Sequence, residues 1–341
     1  MATQLDNDPL LSQRSEYFQH VLPNYYRSVL KKFRKISRSF LHFNFSFIAI
    51  VGLELTLFAS FFPLLTHSVL FALALSILFL TCFSYSVLLF YFQAKKPEQL
   101  ISLKEEFLQS CRTLLSTPEG MAEHHLSIAE ALSRLSSYLH DFEWDLYKVP
   151  SILQFNAQQI SRFSAYWYWE DVFKMKQLLL EAAIIEHIKQ IRITPTDLEV
   201  HASLANTYVT LSKLYKFPFS SQNHPKIHKL KSLQAQFEDK SILYSRLAME
   251  EFKILSQYAA DDPWVHEQMA MGYKDLCLPE EEIKEVEVLR KLRPQDKEIL
   301  CRLGTLYFSQ GLNAKGLLVY EELKKTNFKK AEDLISSYGT I

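Results

Sequence analysis

The sequence predicts an all-α chain: an N-terminal two-helix transmembrane hairpin followed by a C-terminal solenoid of helical hairpins. Three observations lead there. Between Phe43 and Phe92 the one formally charged residue is Glu54. Beyond Pro97, apolar residues recur at three- and four-residue spacing, with no alternating run that would signal a strand. Glycine is scarce, 7 in 341 residues, while Phe (25) and Tyr (17) are abundant. That composition suits aromatic packing between helices and leaves little for turn-rich β folds or Gly-rich nucleotide loops.

Acids and bases balance at 38 each, so no global charge points to nucleic acid. Cys82, Cys111, Cys277 and Cys301 form no C-x-x-C pair. They read as reduced thiols in a reducing compartment rather than as a disulfide framework.

The apolar run is long enough for two spans, since a bilayer crossing takes about 20 residues. The break falls in Phe61-Phe62-Pro63-Leu64-Leu65-Thr66-His67-Ser68, which puts the spans at about 44–63 and 69–92. Arg27, Lys31, Lys32, Arg34, Lys35 and Arg38 precede the first span, Lys95 and Lys96 follow the second, and the turn has no Lys or Arg. The positive-inside bias places both termini in the cytosol. The double apolar stretch and the lack of a small-residue cleavage site argue against a signal peptide.

Glu54 lies near the middle of the first span, where an ionised carboxylate costs about 2.5–3.5 kcal/mol on insertion scales. The expectation is a protonated group hydrogen-bonded to Ser76, Thr81, Ser84 or a neighbouring chain; the last would drive self-association of hairpins. The basic residues Lys31, Lys32, Arg34, Lys35 and Arg38 set topology. They are also expected to meet anionic membrane lipids, at about 1 kcal/mol each near the surface. Phe33 and Ile36 give the same stretch an apolar helical face, against a nucleic-acid role.

The domain order is a basic cytosolic segment 1–43, the hairpin 44–92, a helical domain 97–194, repeats over 195–330 with an insertion at about 217–240, and a tail 331–341. Pro118, Pro150, Pro195, Pro263, Pro279 and Pro294 fall between apolar periods, as boundary prolines should. Residues 166–191 lack an internal turn signal and read as one long packing helix or a degenerate repeat. Of Tyr166-Trp167-Tyr168-Trp169, two are expected in the core, and an exposed partner-binding patch is an alternative for the other two.

Two units of equal length follow one another. Residues 263–296 carry His266, Met269-Ala270, Tyr273, Val286, Leu289 and Pro294; residues 297–330 carry Leu300, Leu303-Gly304, Tyr307, Gly316, Tyr320 and Leu323. A third unit, split by the insertion, pairs His201, Leu204-Ala205 and Tyr208 with Ala248, Phe252 and Leu255. Over about 198–330 this resembles the tetratricopeptide repeat, a helix–turn–helix of about 34 residues in which small residues let helices A and B approach. Glu282 departs from that pattern where helix B should be small, and Phe328 stands where a final proline is usual.

The resemblance implies a concave face lined by helix A: Glu199, Ala202, Asn206 and Val209; Trp264, Glu267, Met271 and Lys274; Glu298, Cys301, Thr305 and Phe308. From these, Asn206, Trp264, Glu267, Met271, Lys274, Thr305 and Phe308 are the partner-binding candidates. Chaperone-binding members clamp a C-terminal carboxylate with basic residues; Asn206 and Lys274 alone do not support that ligand. The mixed acidic and aromatic lining suits a protein segment with basic and apolar character.

No catalytic, cofactor or metal constellation emerges. His124-His125 and His224-Pro225-Lys226-Ile227-His228 lack an H-E-x-x-H pattern and read as surface histidines. His140-Asp141-Phe142-Glu143-Trp144-Asp145 reads as a polar loop or helix end. There is no Gly-rich phosphate loop and no G-x-S-x-G. The function expected is a non-enzymatic membrane-anchored adaptor for a protein partner, without cofactor or nucleic acid. A structural subunit of a membrane complex is the alternative. The short-looped hairpin with both ends on one side also resembles the inclusion membrane proteins of chlamydiae, which would imply a helical domain displayed to a host cytosol.

Overall fold

The computed structural model describes residues 9–65, 69–115, 117–118, 120–144, 157–220, 231–326, 328–336 and 338. The turn Thr66-His67-Ser68, Asp145, Pro150, and His224 and His228 lie outside them. Among the described residues the fold is all-α, with no strand. The helices are α1 (Pro9–Leu65), α2 (Val69–Leu114), α3 (Ala122–Tyr138), α4 (Ala157–Ile193), α5 (Leu198–Ser220), α6 (Gln234–Tyr258), α7 (Pro263–Asp275), α8 (Pro279–Leu292), α9 (Lys297–Ser309), α10 (Asn313–Thr326) and α11 (Phe328–Ser336). Contacts divide the chain into two units, Met1–Ala183 and Ile184–Ile341.

In unit 1, α1 and α2 are each long and apolar enough to cross a membrane. They pair along one seam at three- and four-residue spacing: Phe43, Phe47, Val51, Glu54 and Phe58 against Phe71, Ala74, Leu78, Thr81, Tyr85 and Phe92 are half-buried. The outward surface is Phe45, Ile48, Leu53, Leu57, Leu73, Phe79, Phe83 and Phe90, all exposed. A water-facing surface would be polar instead. Both helices continue beyond the apolar run, α2 straight through Pro97. That proline removes one backbone bond, to the carbonyl of Gln93. Gln93 is exposed, just past the apolar run, where water can replace the lost donor.

The extended halves bury what the apolar halves expose. Leu22, Tyr26, Val29, Phe33 and Leu41 of α1 join Leu100, Leu103, Phe107 and Cys111 of α2, Ile128, Leu132 and Leu135 of α3, and Tyr168, Val172, Met175 and Leu179 of α4 in one core. A domain beginning at residue 97 is therefore not closed: its core needs α1. Residues 166–191 form an unbroken stretch of α4, so the long packing helix is realised and no hairpin occurs there. His124 and His125 are buried rather than on the surface. The His124 Nδ1–H donates to the Thr117 carbonyl at 2.8 Å, and the two rings meet edge-on at 5.4 Å.

Unit 2 is a run of helical hairpins. Helices α7 and α9 begin at Pro263 and Lys297 and end at Asp275 and Ser309; α8 and α10 begin at Pro279 and Asn313 and end at Leu292 and Thr326, so every boundary moves by 34 residues. Asp197, Asp262 and Asp296 each cap a helix A, accepting from the backbone N–H of Glu199, Trp264 and Glu298 at 2.9–3.1 Å. The described ends of the expected insertion at 217–240 extend the helices of the first hairpin: α5 runs to Ser220 and α6 starts at Gln234. There Ser212 Oγ donates to the Ser241 carbonyl (2.9 Å), and Tyr215 stacks on Tyr244 at 5.8 Å. The expected tail instead holds α11, which buries Ala331 and Leu334 against α9 and α10.

Candidate functional site

Two places concentrate polar groups against the local pattern: the seam of the apolar hairpin and the open side of the first two repeat hairpins.

In the seam, Thr81 Oγ1 donates to Glu54 Oε1 at 2.8 Å, and Tyr85 OH donates to Asn44 Oδ1 at 3.1 Å. Of the partners expected for Glu54, the fold brings Thr81. Glu54 Oε2 is buried without a hydrogen-bond partner among the described residues. The carboxyl thus closes its own hairpin, and self-association through it would require the hairpin to open.

The basic residues beside the hairpin divide by use. Lys32 pairs with Glu106, and the Arg34 guanidinium lies over the Phe142 ring at 5.1 Å. Because α1 is continuous, Lys31 and Lys32 stand about 18–20 Å along the axis from residue 44 at 1.5 Å per residue. Lys35 and Arg38 stand nearer the apolar run, about 14 and 9 Å from residue 44 on the same scale.

In unit 2 a pocket of about 240 Å³ opens between α5, α6 and α7. Val209, Ala248, Met249, Phe252 and Met271 give it an apolar floor, and Ser212, Ser245, Gln268, Lys213, Lys274 and Asp275 add polar groups. Gly272 makes room for Met249, whose sulfur occupies the space a Cβ would need. The Ser212 and Ser245 hydroxyls bond each other at 2.7 Å, and Asp275 is held by Lys216 at 2.8 Å. Lys213 and Lys274 make no ion pair among the described residues, so the net charge at the rim is positive.

Met271 and Lys274 line this pocket, and Trp264 packs edge-on against its floor residue Phe252 at 5.9 Å. Asn206 is exposed one turn away on α5. Glu267 lies 3.8 Å from Arg293, so its charge is answered locally. The 297–330 unit departs from expectation. Phe308 is in the core, against Gly316 and edge-on to Tyr338 at 5.2 Å, while Lys330 of α11 pairs with Glu298. The last helix covers this face, leaving Thr305 exposed but bonded to the Cys301 carbonyl at 3.1 Å. Lys213, Ser212, Gln268 and Asp275 were not anticipated; a lysine one turn beyond Val209 on helix A was the available signal.

Between the helices, histidines make a repeated clip. His201 Nδ1 meets Glu251 Oε2 at 2.6 Å and its Nε2 meets the Pro195 carbonyl at 3.0 Å; His266 does the same with Glu285 (2.7 Å) and Ala260 (2.8 Å). Burial opposes the charged imidazole, but the carboxylate and carbonyl bonds outweigh it, so both histidines titrate above their ordinary value. In the next unit the equivalent positions are Leu300 and Val319, both buried. Glu282, the departure from the repeat pattern, is buried and accepts from Arg302 Nη2 at 2.7 Å. Among the described residues no group of three His, Cys, Asp or Glu could hold a metal ion. Set against models of known protein families and against characterised proteins, the sequence matches none.

Proposed function

We propose that this chain is a non-enzymatic, membrane-anchored adaptor: its apolar hairpin crosses a bilayer with both termini cytosolic, and its tetratricopeptide-like hairpins recruit a protein segment. The observation that carries the reading is the pocket between α5, α6 and α7, apolar at its floor and bordered by Lys213 and Lys274, which make no ion pair among the described residues. A basic partner is disfavoured there, because the acids near the groove, Glu267 and Asp275, are answered by Arg293 and Lys216. The segment that fits carries an apolar anchor next to an acidic group. The apolar side chain is desolvated in the pocket, and the carboxylate meets lysines in a partly shielded site. A structural role in a larger membrane complex is the alternative, and the lipid-facing surface of the hairpin is its only support.

Full-length protein in nanodiscs, probed with an array of peptides that vary in charge around a central Leu or Phe, tests the adaptor reading. Acidic–apolar peptides should bind, and Lys213→Glu with Lys274→Glu should abolish binding. If no peptide class binds, the adaptor reading fails. For topology, cysteine tags at positions 10 and 341 should react from the same side of the vesicle and a tag at Thr66 from the other; reaction of the two ends from opposite sides would leave a single span.

A further inference from the structure

The first turns of α4 carry a face that the core of unit 1 does not use. Arg162, Phe163 and Tyr166 are exposed, while Ser164, Ala165, Tyr168 and Trp169 behind them are buried. The Phe163 ring lies 6.1 Å from Trp167, which lies 5.8 Å from Tyr166, so the aromatic surface is continuous. It continues onto α1, where Phe163 is 6.3 Å from Phe45. Phe45 in turn begins the exposed apolar run of the first span, followed by Ile48, Leu53, Leu55 and Leu57.

Other contacts fix the direction of α4. Lys96, just past the second span, pairs with Asp171 at 2.7 Å and lies over the Phe40 ring at 4.8 Å. From Phe163 to Asp171 α4 advances about 12 Å, and from Phe45 back to Phe40 α1 recedes from the span by about 7.5 Å. Helix α4 therefore climbs away from the start of the span, with its N-terminal end toward it. Ser161 Oγ and Ser164 Oγ hold that end, donating to the Trp144 and Glu143 carbonyls at 3.1 and 2.6 Å.

We propose that these turns are a second membrane contact. Phe163, Tyr166 and Trp167 seat in the headgroup–acyl boundary of the bilayer that the hairpin crosses, and Arg162 meets lipid phosphate. The proposal rests on the reading of the hairpin as membrane-spanning. Amphipathic rings favour this boundary because the ring body is apolar and the Tyr and Trp polar tips stay wet. Arg162 makes no ion pair among the described residues, which leaves its charge for a phosphate. The next exposed residue on the same face is Glu170, about 6 Å beyond Tyr166 and about 10 Å beyond Phe163 along the helix, on the side away from the span. Unit 1 then stands on the bilayer at two places rather than swinging from the hairpin.

The test uses the full chain with its cysteines changed to alanine, reconstituted in vesicles of phosphatidylcholine and phosphatidylglycerol. An environment-sensitive fluorophore is placed in turn at Leu57→Cys, Phe163→Cys, Tyr166→Cys and Glu170→Cys. Lipids bearing a nitroxide at a shallow or a deep acyl position serve as quenchers. Leu57 should lose fluorescence mainly to the deep nitroxide, Phe163 and Tyr166 mainly to the shallow one, and Glu170 to neither. Quenching at Leu57 without quenching at Phe163 and Tyr166 overturns the second contact and leaves the span intact. No quenching at Leu57 means the hairpin is not in the bilayer, and both readings fall.

Discussion

Unit 1 and unit 2 both pack helices in pairs, but they hide their polar groups from opposite surroundings. In the apolar hairpin, Glu54, Thr81, Asn44 and Tyr85 turn inward and the outer surface is Leu, Ile and Phe. In the repeats, apolar side chains turn inward, and the buried ionisable groups His201, His266 and Glu282 are each paired between helices. The first pattern is the one a lipid surrounding would require, since lipid offers polar atoms no partner; the second suits a core where close packing excludes water. Within α1 itself the switch takes a few residues, between Leu41, buried, and Phe45, exposed. A helix that passed from water into lipid would show this switch.

Four measurements would break or sharpen that contrast. The largest effect should come from Phe33→Ala in the water-facing half of α1. It deletes a fully buried ring, which typically costs about 3–5 kcal/mol. Phe90→Ala on the lipid-facing surface of α2 should leave thermal unfolding in detergent almost unchanged. Equal losses at the two positions would show that both halves of the hairpin are packed alike.

Next, Arg302→Met should strand the Glu282 carboxylate between hairpins and cost about 1.5–3 kcal/mol. Adding Glu282→Ala should recover most of the loss, because a small residue then fills the helix-B position. Failure to recover in the double variant would mean the ion pair itself, and not the avoided stranded charge, holds the hairpins.

Smaller again is the effect of overpacking. Gly304→Leu would push a side chain into Leu334 and Val319, whose carbons stand 2.6 and 3.0 Å from the added Cβ, and Ala270→Leu would crowd a fully buried site. Each should lower the melting temperature by the equivalent of about 1–3 kcal/mol. Asn206→Ala and Lys274→Ala, on the exposed face, should shift stability by less than about 0.5 kcal/mol, the latter while weakening capture of acidic peptides. A silent Gly304→Leu would mean that the hairpins do not close at this register.

The remaining effect is in pH dependence. His201 and His266 are raised, so their contribution is present below the unfolded value of about 6.5 and fades as pH climbs through the folded one. His187 is buried and pushed down to about 4; its contribution is present above about 6.5 and is lost as pH falls toward that value. Melting curves across this range should therefore carry two histidine slopes of opposite sign. His187→Asn should flatten the acid side, and His201→Gln with His266→Gln the neutral side. Unchanged slopes in these variants would place the titrating groups elsewhere.

Periodicity and charge made much of this legible in advance. The uncharged run marked the hairpin and its break, because no globular core helix stays apolar for so long. Positions such as Ala205, Ala270 and Gly304 marked the repeat register, because only small residues fit where helices nearly touch. Domain closure was not legible: the cut at Pro97 ignored that Leu22, Tyr26 and Phe33 complete the core of the helices that follow. Nor was the polarity of the candidate groove, because Glu267 and Asp275 are neutralised by Arg293 and Lys216 from other helices.

Local spacing alone determined that the chain is helical, where its apolar hairpin turns, and the 34-residue step of its later hairpins. Those properties depend on neighbours three and four residues away, or on the solvent each helix must meet. Only the tertiary structure decided that Phe308 is core, that Glu54 bonds Thr81, that the last helix closes the array, and that Phe163 lies beside Phe45. Each of these is a contact between residues distant in sequence. Its existence depends on which faces pack and how far each helix runs, and no local pattern encodes that.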